Sequence, residues 1–171
     1  MILTFLLSLL CAVLPGQAPR GPDVSAQKAA MRKLDFLTGK WEGDAVVRTP
    51  AGERKIRQSE AVEYRLDGLI LLIEGTGRDP ATGEIVFNAL ATISYDDTAK
   101  TYRIRAYNAG RYLDTELTPE PNGFQWGFTA GPAKVRNVMT LGPAGEWIEY
   151  SEVTLAGRPP MRTVEFKVLK N

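Results

Sequence analysis

From Lys40 onward, apolar and polar residues alternate in short runs separated by turn-forming clusters. The period is two, as in strands with one face in a core and the other in water. The first run sets Trp41, Gly43, Ala45 and Val47 opposite Glu42, Asp44 and Arg48, and the fourth aligns Phe87, Ala89, Ala91, Ile93 and Tyr95. The last sets Arg162, Val164, Phe166 and Val168 opposite Thr163, Glu165 and Lys167. Read this way, the pattern predicts strands over 40–49, 53–66, 69–78, 84–96, 100–109, 111–118, 123–129, 133–141, 145–155 and 161–169. Between them lie clusters such as Pro50-Ala51-Gly52, Asp67-Gly68, Pro121-Asn122-Gly123 and Pro143-Ala144-Gly145. Each supplies a residue preset for a turn or tolerant of positive φ. No gap holds a crossover helix, so the strands read as an antiparallel meander, and closure of that meander removes its exposed edges. The predicted fold is all-β, a ten-stranded antiparallel up-and-down barrel with a short N-terminal helix. A two-sheet sandwich is the alternative arrangement of the same strands.

Ahead of the strands, Ser25 is a candidate cap for a helix running to Leu34, with Met31, Leu34 and Leu37 in one apolar stripe and Gly39 ending the segment. Such a helix serves a barrel as a lid or plug. Met1 to Leu14 is almost wholly apolar and too short for a membrane span, which fits the core of a signal peptide. The expected organisation is a signal peptide over 1–18, a linker over 19–24 and a β-barrel domain over 25–171. The mature protein is then periplasmic or secreted, with no stable membrane span. Lipid anchoring through Cys11 is disfavoured, because Leu10 stands where a small residue is wanted.

Composition narrows the chemistry mainly by what is missing. The net charge of +1 offers nothing to nucleic acid. There is no histidine, and the single cysteine lies in the apolar leader. Ser-His-Asp and Cys-His sites, histidine zinc sites and catalytic thiols are therefore excluded from the mature chain. Gly75-Thr76-Gly77 reads as strand, since no third glycine or helix follows it. No cofactor and no metal is expected. What remains are carboxylates, lysines and tyrosines. Asp96-Asp97 falls in a turn, where aspartate satisfies backbone groups. Glu149 and Glu152 are an odd number of residues apart, so they point to opposite faces of one strand and one of them faces inward.

The string Leu34-Asp35-Phe36-Leu37-Thr38-Gly39-Lys40-Trp41-Glu42-Gly43 resembles the opening motif of lipocalins and related calycins, a short helix running into Gly-x-Trp at the first strand. Together with Ile93-Ser94-Tyr95-Asp96 and with Lys100 before Tyr102, it is similar to the DUF1579-like bacterial family of exported proteins. The resemblance spans most of residues 30–170. It implies that Gly39 and Trp41 close one barrel end and that a basic side chain of the last strand, Lys167 or Lys170, covers the indole as a cation–π partner. The resemblance extends to heme-binding barrels such as nitrobindin, which hold iron through a histidine. This chain has none, so that activity is not carried over.

Alternation nominates Val47, Tyr64, Phe87, Ala91, Trp126, Met139 and Tyr150 as lining residues of a barrel cavity. As in fatty-acid-binding barrels, Arg162 is the candidate polar anchor for a ligand carboxylate. Arg103 and Arg105 share a face with Tyr107 and read as solvated residues paired with acidic neighbours. The expected function is a binding or carrier protein for a small hydrophobic or amphipathic molecule such as a lipid. A cofactor-independent hydrolase or isomerase using Glu149 or Asp114 as general base is the second reading. A structural barrel presenting its surface to a protein partner is the third.

Overall fold

The structure, a computed structural model, describes residues 22–171. The expected signal segment, Cys11 and the first half of the linker lie outside the described residues. Helix α1 (Ser25–Met31) runs directly into a 3-10 segment (Arg32–Leu37). Ser25 is the first helical residue rather than the cap, and Asp23 accepts its backbone N–H at 3.0 Å. Ten strands follow: β1 (Gly39–Thr49), β2 (Gly52–Arg65), β3 (Ile70–Arg78), β4 (Ile85–Asp96), β5 (Thr101–Asn108), β6 (Arg111–Glu120), β7 (Gly123–Ala130), β8 (Ala133–Leu141), β9 (Trp147–Leu155) and β10 (Met161–Lys170). Their ends fall within about two residues of the alternation pattern, the scatter normal for element boundaries.

Each strand pairs antiparallel with the next, and β10 returns to β1, so the barrel is closed. The seam runs from Trp41 opposite Lys170 to Val47 opposite Val164. Gly43 makes this closure possible, because a Cβ there would lie 2.1 Å from the Lys167 carbonyl oxygen.

One end is sealed by the helix. Met31, Leu34 and Leu37 are buried against Trp41, Leu71, Ile93 and Leu117 of the barrel floor. A helix end leaves backbone carbonyls without partners, and the floor supplies donors for them. The Tyr102 hydroxyl donates to the Ala30 carbonyl at 2.7 Å, and the Trp41 indole N–H to the Leu37 carbonyl at 2.8 Å. The Tyr64 hydroxyl lies 2.6 Å from both the Met31 carbonyl and the Asp35 carboxylate. Gly39, at φ +121°, turns the chain sharply from the plug into β1.

The expected cover of Trp41 is corrected in one residue. Lys167 points outward and pairs with Glu146 at 2.8 Å. Lys170 shares the inward parity of Val168 and folds under the barrel, its ammonium 4.8 Å from the Trp41 ring centroid and 3.4 Å from the Phe36 carbonyl.

Candidate functional site

The pleat and the register together decide which side chains enter the lumen. In β9, Trp147, Glu149 and Ser151 face in, because Trp147 packs edge-on against Trp41 at 5.6 Å and Glu149 stands opposite Met139 and Phe166. In β2, Ile56, Gln58, Glu60, Val62 and Tyr64 face in, opposite Ala45, Gly43 and Trp41 on one side and Gly77, Gly75 and Leu71 on the other. A carboxyl from each of two distant strands thus enters one interior.

Glu60 is only 6 % exposed and Gln58 3 %. The Gln58 side-chain amide donates to Glu60 Oε1 at 2.7 Å. The Glu60 carboxyl lies over Gly75, where a Cβ would come within 2.9 Å of its Oε2. Glycine in the middle of β3 weakens a strand, and here its missing side chain is the space the carboxyl fills. On β9, separated from β2 round the wall by β1 and β10, Glu149 accepts the Trp147 indole N–H at 2.9 Å. Burial pushes Glu60 up to about 8, with the charge of Glu149 adding to it and the Gln58 hydrogen bond opposing it. Burial likewise pushes Glu149 up to about 7 against the Trp147 hydrogen bond.

A second polar pair lies beside Glu149. Asn137 is 5 % exposed and faces inward between Trp126 and Ser151. Ser151 donates its hydroxyl to Asn137 Oδ1, but the buried Asn137 Nδ2 has no partner. An unsatisfied buried donor costs about 1–3 kcal/mol, so this amide is primed to meet an acceptor.

No Lys or Arg among the described residues faces the lumen between its rim and its base. Arg54 and Arg111 stand exposed at the rim, Arg54 tied to Asp79 at 2.7 Å, and Lys170 lies beneath Trp41. The two carboxyls therefore have no counter-ion. They can hold and release protons near neutrality, and they disfavour a bound anion.

Above the carboxyls the lumen changes character. Val47, Ala89, Ala91, Ala106, Trp126 and Phe128 face in yet remain half-buried, and Phe87 at the rim is 38 % exposed. Trp126 and Phe128 stack on one wall with centroids 6.2 Å apart. The inward residues of β4 and β5 at this level are the small Ala89, Ala91 and Ala106, whereas Ile93, Ile104 and Leu117 nearer the helix are buried.

Most of the nominated lining residues do face inward. Val47, Ala91 and Trp126 line the open half and Phe87 its rim. Met139 is fully buried opposite Glu149, and Tyr64 is committed to the plug. Tyr150 and Arg162 do not enter the lumen. Tyr150 alternates with the inward Glu149 and Ser151, so it faces out. Arg162 leaves the inner face because the register shifts between it and Val164, and one extra residue reverses the parity. Its guanidinium lies 4.2 Å over the Tyr150 ring and 2.7 Å from Glu165. That pair lines an outer groove of about 290 Å³ crossing β9, β10 and β1. Asp114 is also outside, held by Arg103 and Arg105, whose hydrogen bonds keep its carboxyl below the usual range. Glu60, Gln58 and Asn137 were not nominated. The available signal was an interrupted apolar face, Ile56-Gln58-Glu60-Val62, with glycines at alternate positions of the next strand.

No protein-family model matches the chain, and a search of curated proteins finds no match. The architecture is similar to the crystal structure of Rv2717c from M. tuberculosis, with a TM-score of 0.62 over 83 % of this chain and 97 % of that one. The two are 10 % identical, so the likeness is one of fold.

Proposed function

We propose that this barrel is a lipocalin-like binding protein that carries a small amphipathic molecule in the open half of its lumen. The observation that carries the reading is the contrast along the barrel axis. The helix end is sealed and packed, whereas inward side chains at the other end, Val47, Ala91, Trp126 and the rim residue Phe87, keep contact with water. A largely apolar hollow with a few convergent polar groups is the usual form of a small-molecule site. The chemistry of the lumen turns the reading away from fatty acids, since Arg162 lies outside and the interior holds carboxyls without a counter-ion. The exported location and the small-molecule partner suggested by the sequence belong to the same reading.

The test is binding of the uncharged dye Nile red, read by its fluorescence, with native mass spectrometry of the protein taken from its own source. Saturable binding that Ala91→Phe abolishes supports a lumenal site, because Ala91 lies between Ile73 and Ala106 on the inner wall. A clean apo mass together with no dye uptake overturns the carrier reading. A second reading, acid–base catalysis, is favoured by the raised carboxyls Glu60 and Glu149. It replaces the first if an activity is found that Glu149→Gln removes while dye binding persists.

A further inference from the structure

We propose that the floor of the lumen recognises an ammonium group whose neighbouring carbon bears a hydroxyl or carbonyl oxygen, so that the carried molecule is an amphipathic amino-alcohol or its keto equivalent. The proposal rests on the carrier reading and names the chemistry of its ligand.

Two observations point to it independently. The first is the uncompensated acid pair. Glu60 and Glu149 enter the same interior from β2 and β9, and no basic side chain of the described residues accompanies them between rim and base. A cation is the ligand group that converts two buried carboxyls from a liability into charge-assisted hydrogen bonds. The second is the unpartnered Nδ2 of Asn137, a donor that a cation cannot satisfy. Asn137 stands opposite Ser151 in the register, and Glu149 is two residues before Ser151 on the same face. Asn137 and Glu149 are thus diagonal neighbours, about 7–8 Å apart along the sheet. An ammonium on Glu149 and an oxygen one carbon further along the ligand reach both groups at once.

The remaining features agree with a head-down pose. Glu60 and Gln58 are held over Gly75 and Gly77, and Ala89 and Ala91 continue the small-residue wall toward the rim. Trp126 and Phe128 form an aromatic wall in the open half, where the apolar body of the ligand would lie.

The experiment is displacement of Nile red by four chains of equal length: decanol, decanoate, decylamine and a vicinal aminodecanol. The expected order is aminodecanol tightest, then decylamine, then decanol, with decanoate weakest. The amine should exceed the alcohol by about tenfold or more, the ratio carried by one charge-assisted hydrogen bond to a buried partner. The double variant Glu60→Gln/Glu149→Gln, which keeps shape and hydrogen-bonding capacity, should remove the preference of decylamine over decanol and leave decanol unchanged. Asn137→Leu should remove only the advantage of aminodecanol over decylamine. Equal displacement by amine and alcohol, or a preference that survives the double variant, overturns the proposal while the carrier reading stands. Failure of every chain and of the dye overturns both.

Discussion

Raising the pH from about 4.5 to about 8 is expected to weaken the fold, and the interior carboxyls set the size of the effect. Glu60 and Glu149 ionise near 4.5 in an unfolded chain but near 8 and 7 in the barrel. A carboxyl with a raised folded-state value contributes its full share below the unfolded value, and that share is lost as pH rises toward the folded one. These shifts, about 3.5 and about 2.5 units, are each expressed over the roughly 2.5 units between pH 4.5 and pH 7 and are worth about 3 kcal/mol per group there, at roughly 1.4 kcal/mol per unit. The groups sense each other, so the loss for the pair is about 3–6 kcal/mol, a large part of the total stability of an ordinary domain. That corresponds to a fall in Tm of roughly 10 °C. The window is clean because the chain has no histidine. The surface carboxylates act at the other end of the scale. Asp79 is lowered to about 2 by its hydrogen bonds to Arg54 and to the backbone of Ala81 and Thr82. Its contribution is present above the ordinary carboxylate value and disappears only in strong acid. Urea unfolding at constant ionic strength, at half-unit steps of pH, measures the slope directly. Glu60→Gln/Glu149→Gln should flatten it and make the protein more stable than wild type at pH 8. A wild-type stability that is level or rising between pH 5 and 8, or a double variant with an unchanged slope, would refute the placement of these carboxyls.

Other expectations follow from single contacts. Tyr102→Phe removes the donor to the Ala30 carbonyl and should destabilise by about 1–3 kcal/mol in chemical unfolding, with faster hydrogen exchange confined to α1. Gly75→Ala places a Cβ 2.9 Å from Glu60 Oε2 and should also destabilise, by about 1–3 kcal/mol. Adding Glu60→Ala to it should recover much of that loss, and strict additivity in the double-mutant cycle would show that the two do not touch. Arg162→Ala should leave Nile red binding unchanged, because its guanidinium stacks on the outer face of Tyr150; a large loss of affinity would return Arg162 to the lumen. Lys170→Ala should alter Trp41 fluorescence, whereas Lys167→Ala should not, since only the former lies over that ring.

The amino-acid sequence by itself determined the strands, their antiparallel order and the plug. Period-two alternation between turn clusters is a local property, and ten such runs without a crossover leave little choice of connection. Gly39 and Trp41 pointed to the sealed end through their resemblance to the opening motif of lipocalins, and the structure places the turn and the indole there. The inward faces of β1 and β4 were legible as well, from an unbroken inner row of apolar and small residues. Tertiary structure decided the rest. The irregularity before Val164 leaves no mark in the residue pattern, yet it carries Arg162 to the outside. The choice between Lys167 and Lys170 depended on the seam register of β1 and β10. Above all, Glu60 and Glu149 belong to strands far apart in the chain, and only barrel closure makes them neighbours. Their raised proton affinity comes from the desolvation that closure imposes. Local alternation can place a carboxyl on a face, but whether that face is wet, and what stands across from it, is a property of the closed barrel.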